Sequence, residues 1–138
     1  MKLSVIFNFS NGKGIKLPSN GTFPIYGSTG IVGMTDTYLT DQTNTLIARV
    51  GANCGFTQYV TNKYWVTDNT LIATVKDGYL SRYGYYLLST LNLSQYKIGA
   101  AQPLLTIGIL NAIETKVHSI SDQHHIVNTI SFLLLKSL

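Results

Sequence analysis

At 138 residues the chain has the size of one domain and can bury a hydrophobic core without disulfides. Only 12% of it is charged while 45% is apolar, so surface polarity has to come from hydroxyls and amides, sixteen threonines among them. The net charge of +4 suits a polyanionic partner, but the ten lysines and arginines are scattered and any basic patch must be assembled by folding. Cys54 is the only cysteine, which excludes an internal disulfide and fits the reducing cytoplasm. The apolar stretches at residues 3–7 and 132–135 are too short for a membrane span, and no membrane partner is expected.

In chain order, residues 2–9 fit either a strand or a short helix capped at Ser4, and the apolar spacing does not choose between them. From there to residue 75 the chain reads as short strands rich in Val, Ile, Thr and aromatics, with glycine and asparagine turns between them. The strands are expected at residues 45–50, 56–60 and 69–75, with Asn62 and Lys63 at the tip of a hairpin joining 56–60 to 64–67. Residues 51–55 form a small-residue turn that lets the backbone approach something closely.

The pattern then changes: Asp77 and Gly78 start a helix that carries Leu80, Tyr83, Leu87, Leu88 and Leu91 at helical spacing and should pack on the sheet. A loop over 93–103, a short apolar element ending near Ala112 and a strand over 113–117 follow. A last helix is expected from Ser121, which caps it, with Ile126, Ile130, Leu133 and Leu134 forming one apolar stripe. The fold class is therefore α+β, strand-rich, with one or two packed helices.

The usual catalytic sets are missing. A methyltransferase would need a glycine-rich strand-to-helix turn, and residues 27–30 lack the helix that must follow, so they read as a plain turn. The six acidic residues do not cluster as a metal-dependent nuclease requires; Asp77 and Asp122 sit instead at helix starts. His124 and His125 are adjacent, about 100° apart on a helix, and read as a solvated pair. Cys54, between Asn53 and Gly55, reads as a small buried filler with nothing beside it to lower its pKa. No cofactor and no metal are expected.

What remains suits contact with nucleic acid: Arg49, Lys63, Lys76, Arg82 and Lys97, interleaved with Tyr64, Trp65, Tyr79, Tyr83, Tyr85, Tyr86 and Tyr96. About half of these aromatics should be core, Trp65 included. The contacts expected are Ser28 and Thr29 in the glycine turn, Lys63 and Tyr64 at the hairpin, Arg82, Lys97, and Gln102 before Pro103. Arg49 is open to two readings, a phosphate contact or a fold-holding donor. Arg82 and Tyr83 are adjacent on a helix, so at most one of them faces outward. On residues alone, a strand-rich module binding a glycan or another protein stays open beside the DNA reading.

Three ordered blocks go further: residues 23–33 (FPIYGSTGIVG), 46–55 (LIARVGANCG) and 65–69 (WVTDN). With residues 99–104 and 121–127, they resemble the target-recognition domain of type I restriction enzyme specificity subunits over nearly the whole chain. The resemblance implies a non-catalytic domain that reads one half of a split double-stranded DNA target. Methylation and cleavage would belong to partner methyltransferase and restriction subunits. It also implies a division into a recognition domain over 1–118 and the start of a spacer helix over 119–138. Gln123, Ile126, Ile130 and Leu134 would then face a partner subunit or a second copy.

Two departures stand out. The family usually carries prolines before the spacer helix, whereas residues 116–121 have none, so a less rigid hinge is expected. The chain also stops at Leu138, so a short spacer and one recognition domain are expected where the family has two, as a half-subunit that pairs with itself, a fragment or a truncated product.

Overall fold

Strands form where β-branched and aromatic residues crowd between turns. In the computed structural model, which describes residues 1–17 and 20–137, they are β1 (Phe7–Asn11), β2 (Phe23–Gly27), β3 (Gly30–Thr35), β4 (Asn44–Ala48), β5 (Thr57–Val60), β6 (Trp65–Val66) and β7 (Thr70–Val75). The helices are α1 (Leu3–Ile6), α2 (Ser81–Thr90), α3 (Ile107–Ala112) and α4 (Ile120–Lys136), with a 3-10 turn at Leu93–Tyr96. This is the mixed α+β architecture expected. Leu138, the last residue of the predicted spacer segment, lies outside the described residues.

An antiparallel four-stranded sheet has the order β1-β7-β4-β5, and a second sheet has the order β3-β2-β6. Period-two alternation gives the first sheet two apolar faces. Ile47, Leu71 and Ala73 join Leu88, Leu93, Leu105 and Leu110 in one core, while Leu46 and Ile72 join Val60, Tyr64 and Val66 in the other. Helices therefore cover one face of the four-stranded sheet, and the small sheet covers part of the other.

Two glycines set close approaches. A Cβ on Gly84 of α2 would stand 2.7 Å from Val75 Cγ1 and 2.9 Å from Phe7 Cε1, so the missing side chain lets the helix settle on the sheet. Gly55, at φ +97, has Ser94 N where its Cβ would be, 2.6 Å away. The 51–55 turn thus meets the 3-10 turn, the close approach its small residues predicted.

Several expectations change. Residues 2–9 divide into α1 and β1, and the helix is flanked by Lys2, not capped at Ser4. Residues 64–67 do not fold back on β5. Asn62 turns the chain through the left-handed region at φ 69, and β6 pairs parallel with β2, Ile25 opposite Trp65 and Tyr26 opposite Val66. Burying Tyr64 and Val66 in the second core outweighs the local hairpin.

Residues 113–117 form a single bridge, Lys2 to Glu114, stitched by Leu3 N to Ile113 O and Thr115 N to Met1 O. Helix α2 begins at Ser81, after the turn holding Asp77 and Gly78. Helix α4 is capped by Ser119, whose Oγ accepts from Asp122 N at 3.2 Å, and not by Ser121. Asp122 lies in its first turn as expected.

Candidate nucleic-acid interface

Strand β5 is an edge strand, and its alternate side chains tie two neighbours to it. Thr57 Oγ1 lies 3.1 Å from Ser89 Oγ and Tyr59 Oη 3.0 Å from Ser81 Oγ, so both reach α2. Gln58 points the other way, its Nε2 donating to the Gly27 and Ser28 carbonyls at 3.0 and 3.1 Å. The β2–β3 turn, β5 and α2 thereby become one surface.

Cations stack on this surface. The Arg82 guanidinium lies 4.0 Å from the Tyr59 ring centre and 5.9 Å from that of Tyr86, with Tyr85 packed 5.4 Å from Tyr59. Lys63 Nζ stands 5.2 Å over the Tyr38 ring, which meets Phe23 edge-on at 5.3 Å. A groove lined by Phe23, Tyr26, Tyr59, Asn62 and Lys63 adjoins both pairs. A guanidinium lying on a ring keeps its N–H donors at its edge, pre-ordered for a phosphate or a base.

Residues 1–135 match the family model described as the type I restriction modification DNA specificity domain. The chain belongs to this family. A curated relative, the type I restriction enzyme EcoprrI specificity subunit of Escherichia coli, is 32% identical over 104 residues, 75% of this chain and 26% of the relative. The S subunit of a type I restriction-modification system from M. genitalium superposes with a TM-score of 0.80 at 17% identity, over 96% of this chain and 37% of that one. The HsdS subunit from Thermoanaerobacter tengcongensis does so with a TM-score of 0.75 at 13% identity, over 99% and 37%. The chain spans about a quarter of the curated relative and just over a third of each solved chain.

Within this specificity domain the expected contact residues fall into three groups. Lys63 and Arg82 share the tyrosine-rich surface; Arg82 is exposed while Tyr83 is buried, the divergence that helical geometry demands. Ser28, Thr29 and Arg49 gather at the far end of β5: Ser28 Oγ donates to Asn69 O at 3.5 Å, and Arg49 Nε donates to Asp68 O at 3.2 Å. Arg49 also shares its backbone with Asn69, Leu105 and the Cys54 thiol, so it holds three segments together. Gln102 is exposed in a separate loop closed by the Ile98–Leu104 bridge, and Lys97 is exposed just before that loop.

Two expected site residues are corrected. Tyr64 is fully buried, its hydroxyl donating to Gln42 O at 2.8 Å and accepting from Asn44 Nδ2 at 2.9 Å. Burial pushes its phenol up to about 12 against the pull of Asn44. It anchors the second core and has no surface for DNA. Gln123, expected on a subunit interface, is only 1% exposed and bonds within its own chain.

Along α4, Ile126 and Ile130 are half-buried, whereas Leu134 is 56% exposed, alongside exposed Phe132, Leu133 and Leu135. Lys76, in the basic set, is spent on the fold, Nζ donating to Ser4 O at 2.7 Å. Trp65 is only half-buried, its Nε1 donating to Lys13 O.

The Cys54 thiol is buried and pushed up by desolvation, which Lys97 and a backbone hydrogen bond only partly offset. That favours the filler reading over a nucleophile. Among the described residues no three His, Cys, Asp or Glu side chains are grouped to hold a metal, and His124 and His125 are exposed. No helix there is long and apolar enough to cross a membrane.

Reasoning from sequence missed Tyr38, Tyr59 and Gln58. Tyr59 lies in a predicted strand, but that α2 crosses β5 and delivers Arg82 to its ring is a long-range fact with no local signal.

Proposed function

We propose that this specificity domain reads one half of a split double-stranded DNA target and catalyses nothing itself. Methylation and cleavage would fall to methyltransferase and restriction subunits of a type I assembly in the cytoplasm. The observation that carries this reading is the family match over residues 1–135. The β5 surface supplies a physical means: Lys63 and Arg82, ordered on tyrosine rings, hold phosphates, while Ser28 and Thr29 lie near the opposite end of the strand. Four strand residues span roughly 13 Å, about four base-pair steps.

Arg49 braces the 68–69 turn on which Ser28 rests, and Lys97 and Gln102 add a second loop contact. Residues 1–118 form the recognition unit in this reading, and 119–138 begin the spacer. Ile126, Ile130 and Leu134 of that spacer meet a methyltransferase subunit or a second copy.

The test is titration against duplex DNA at two salt concentrations. Affinity should fall as salt rises, and Lys63→Gln and Arg82→Gln should each reduce the slope of log K against log salt by about 1. Affinity that is absent, or indifferent to salt, would sink the proposal.

A further inference from the structure

Gln123 is an unusual residue to bury on a helix that is otherwise largely exposed, and both of its amide atoms are used. Oε1 accepts from Leu80 N, at the entrance of α2, at 3.1 Å, and Nε2 donates to His118 O, just before α4, at 2.9 Å. Tyr83, one turn into α2, grips the same residue from another point. Its hydroxyl accepts from His118 N at 3.2 Å and lies 2.8 Å from His118 Nδ1, the two rings meeting edge-on at 5.7 Å. Tyr83 is itself buried.

One attachment fixes where a helix starts; two, a turn apart on α2, also fix where it points. Beyond Ile130 every described residue of α4 is exposed, so its far part takes no side support from the domain. We infer that Gln123, with Tyr83 and His118, is a positioning latch that fixes the direction in which α4 leaves the recognition domain. Resting on the DNA reading above, the inference makes these residues set where a bound half-site lies relative to whatever α4 packs on. They do so without touching DNA. Helix α4 has 17 residues and is roughly 25 Å long, so a swing of about 20° moves its end by roughly 9 Å, between two and three base-pair steps.

The test places nitroxide labels at Ser10→Cys on β1 and Ser131→Cys on α4, both exposed positions, in a Cys54→Ala background. Labelled chain is diluted into unlabelled chain so that only the intrachain distance is read. The parent should give one narrow distribution. Gln123→Leu, similar in bulk but without the amide, should shift it by about 5 Å or more, or double its width, while the affinity for duplex DNA changes less than about threefold.

An unchanged distribution in folded Gln123→Leu overturns the latch, and so does a tenfold loss of DNA affinity with the distribution intact. Should Gln123→Leu fail to fold, Tyr83→Phe, which keeps the ring and removes the hydroxyl, answers by the same two criteria. Failure of the parent to bind DNA strikes the functional reading alone, because the distance measurement needs no DNA.

Discussion

Helices α2 and α4 both carry apolar residues at helical spacing and meet opposite fates. In α2, Tyr83, Gly84 and Leu88 are buried, Gly84 and Leu88 against the four-stranded sheet and Tyr83 against His118. In α4, only Gln123 is buried, a polar residue, while the apolar stripe passes from half-buried at Ile126 and Ile130 to exposed at Leu134. Periodicity says that a helix has an apolar face, and it is silent on what covers that face. What decides is chain geometry: α2 follows β7 closely and is held to β5 by two hydroxyl pairs, whereas α4 is held at its first turns only.

The contrast can be broken most forcefully in α2. Leu88→Ala should cost about 2–5 kcal/mol of unfolding free energy by denaturant titration, because the site is walled by α2 and the sheet and cannot collapse. Tyr64→Phe should come next, at about 1–3 kcal/mol, because it removes a buried hydroxyl that bonds both Asn44 and Gln42 and leaves those two only their longer 3.3 Å bond to each other.

The Tyr64 phenol also gives a pH signature. Its pKa is raised above the ordinary value, so the fold holds the neutral form; the contribution is complete below pH about 10 and is lost as pH rises toward about 12. The stability advantage of the parent over Tyr64→Phe should shrink across that window, and an advantage constant to pH about 12 would contradict it. The smallest stability effect belongs to α4: Ile130→Asp should move unfolding by less than about 1 kcal/mol, being only half-buried. The same change should abolish self-association or docking to a methyltransferase subunit, read by sedimentation or pull-down with that subunit.

Much of the fold was legible because its signals are local. The strands near 45–50, 56–60 and 69–75, the packed helix and the last helix follow from side-chain type and period. What escaped was non-local. Nothing near Trp65 and Val66 says that their strand leaves β5 for β2, because a two-residue strand in parallel pairing has no turn to announce it. Gln123 belongs to the spacer segment that the resemblance turns toward a partner, and only the positions of Leu80 and His118 explain its burial. At the candidate site, Lys63 and Arg82 were legible from charge and neighbouring aromatics. That they share a surface depends on α2 lying across β5.

The parallel pairing of β2 with β6 has a kinetic consequence. About forty residues separate the two strands, so their two-residue register closes a long loop for little local gain. It should form late, once β4, β5 and β7 have placed Val66 in its core. In hydrogen exchange, the Thr67 amide, which donates to the Tyr26 carbonyl, should then open together with the second core and not by local fraying. The turn carrying Ser28 and Thr29 sits at the end of β2, so it is anchored through β6 to the second core and opens only when that core does.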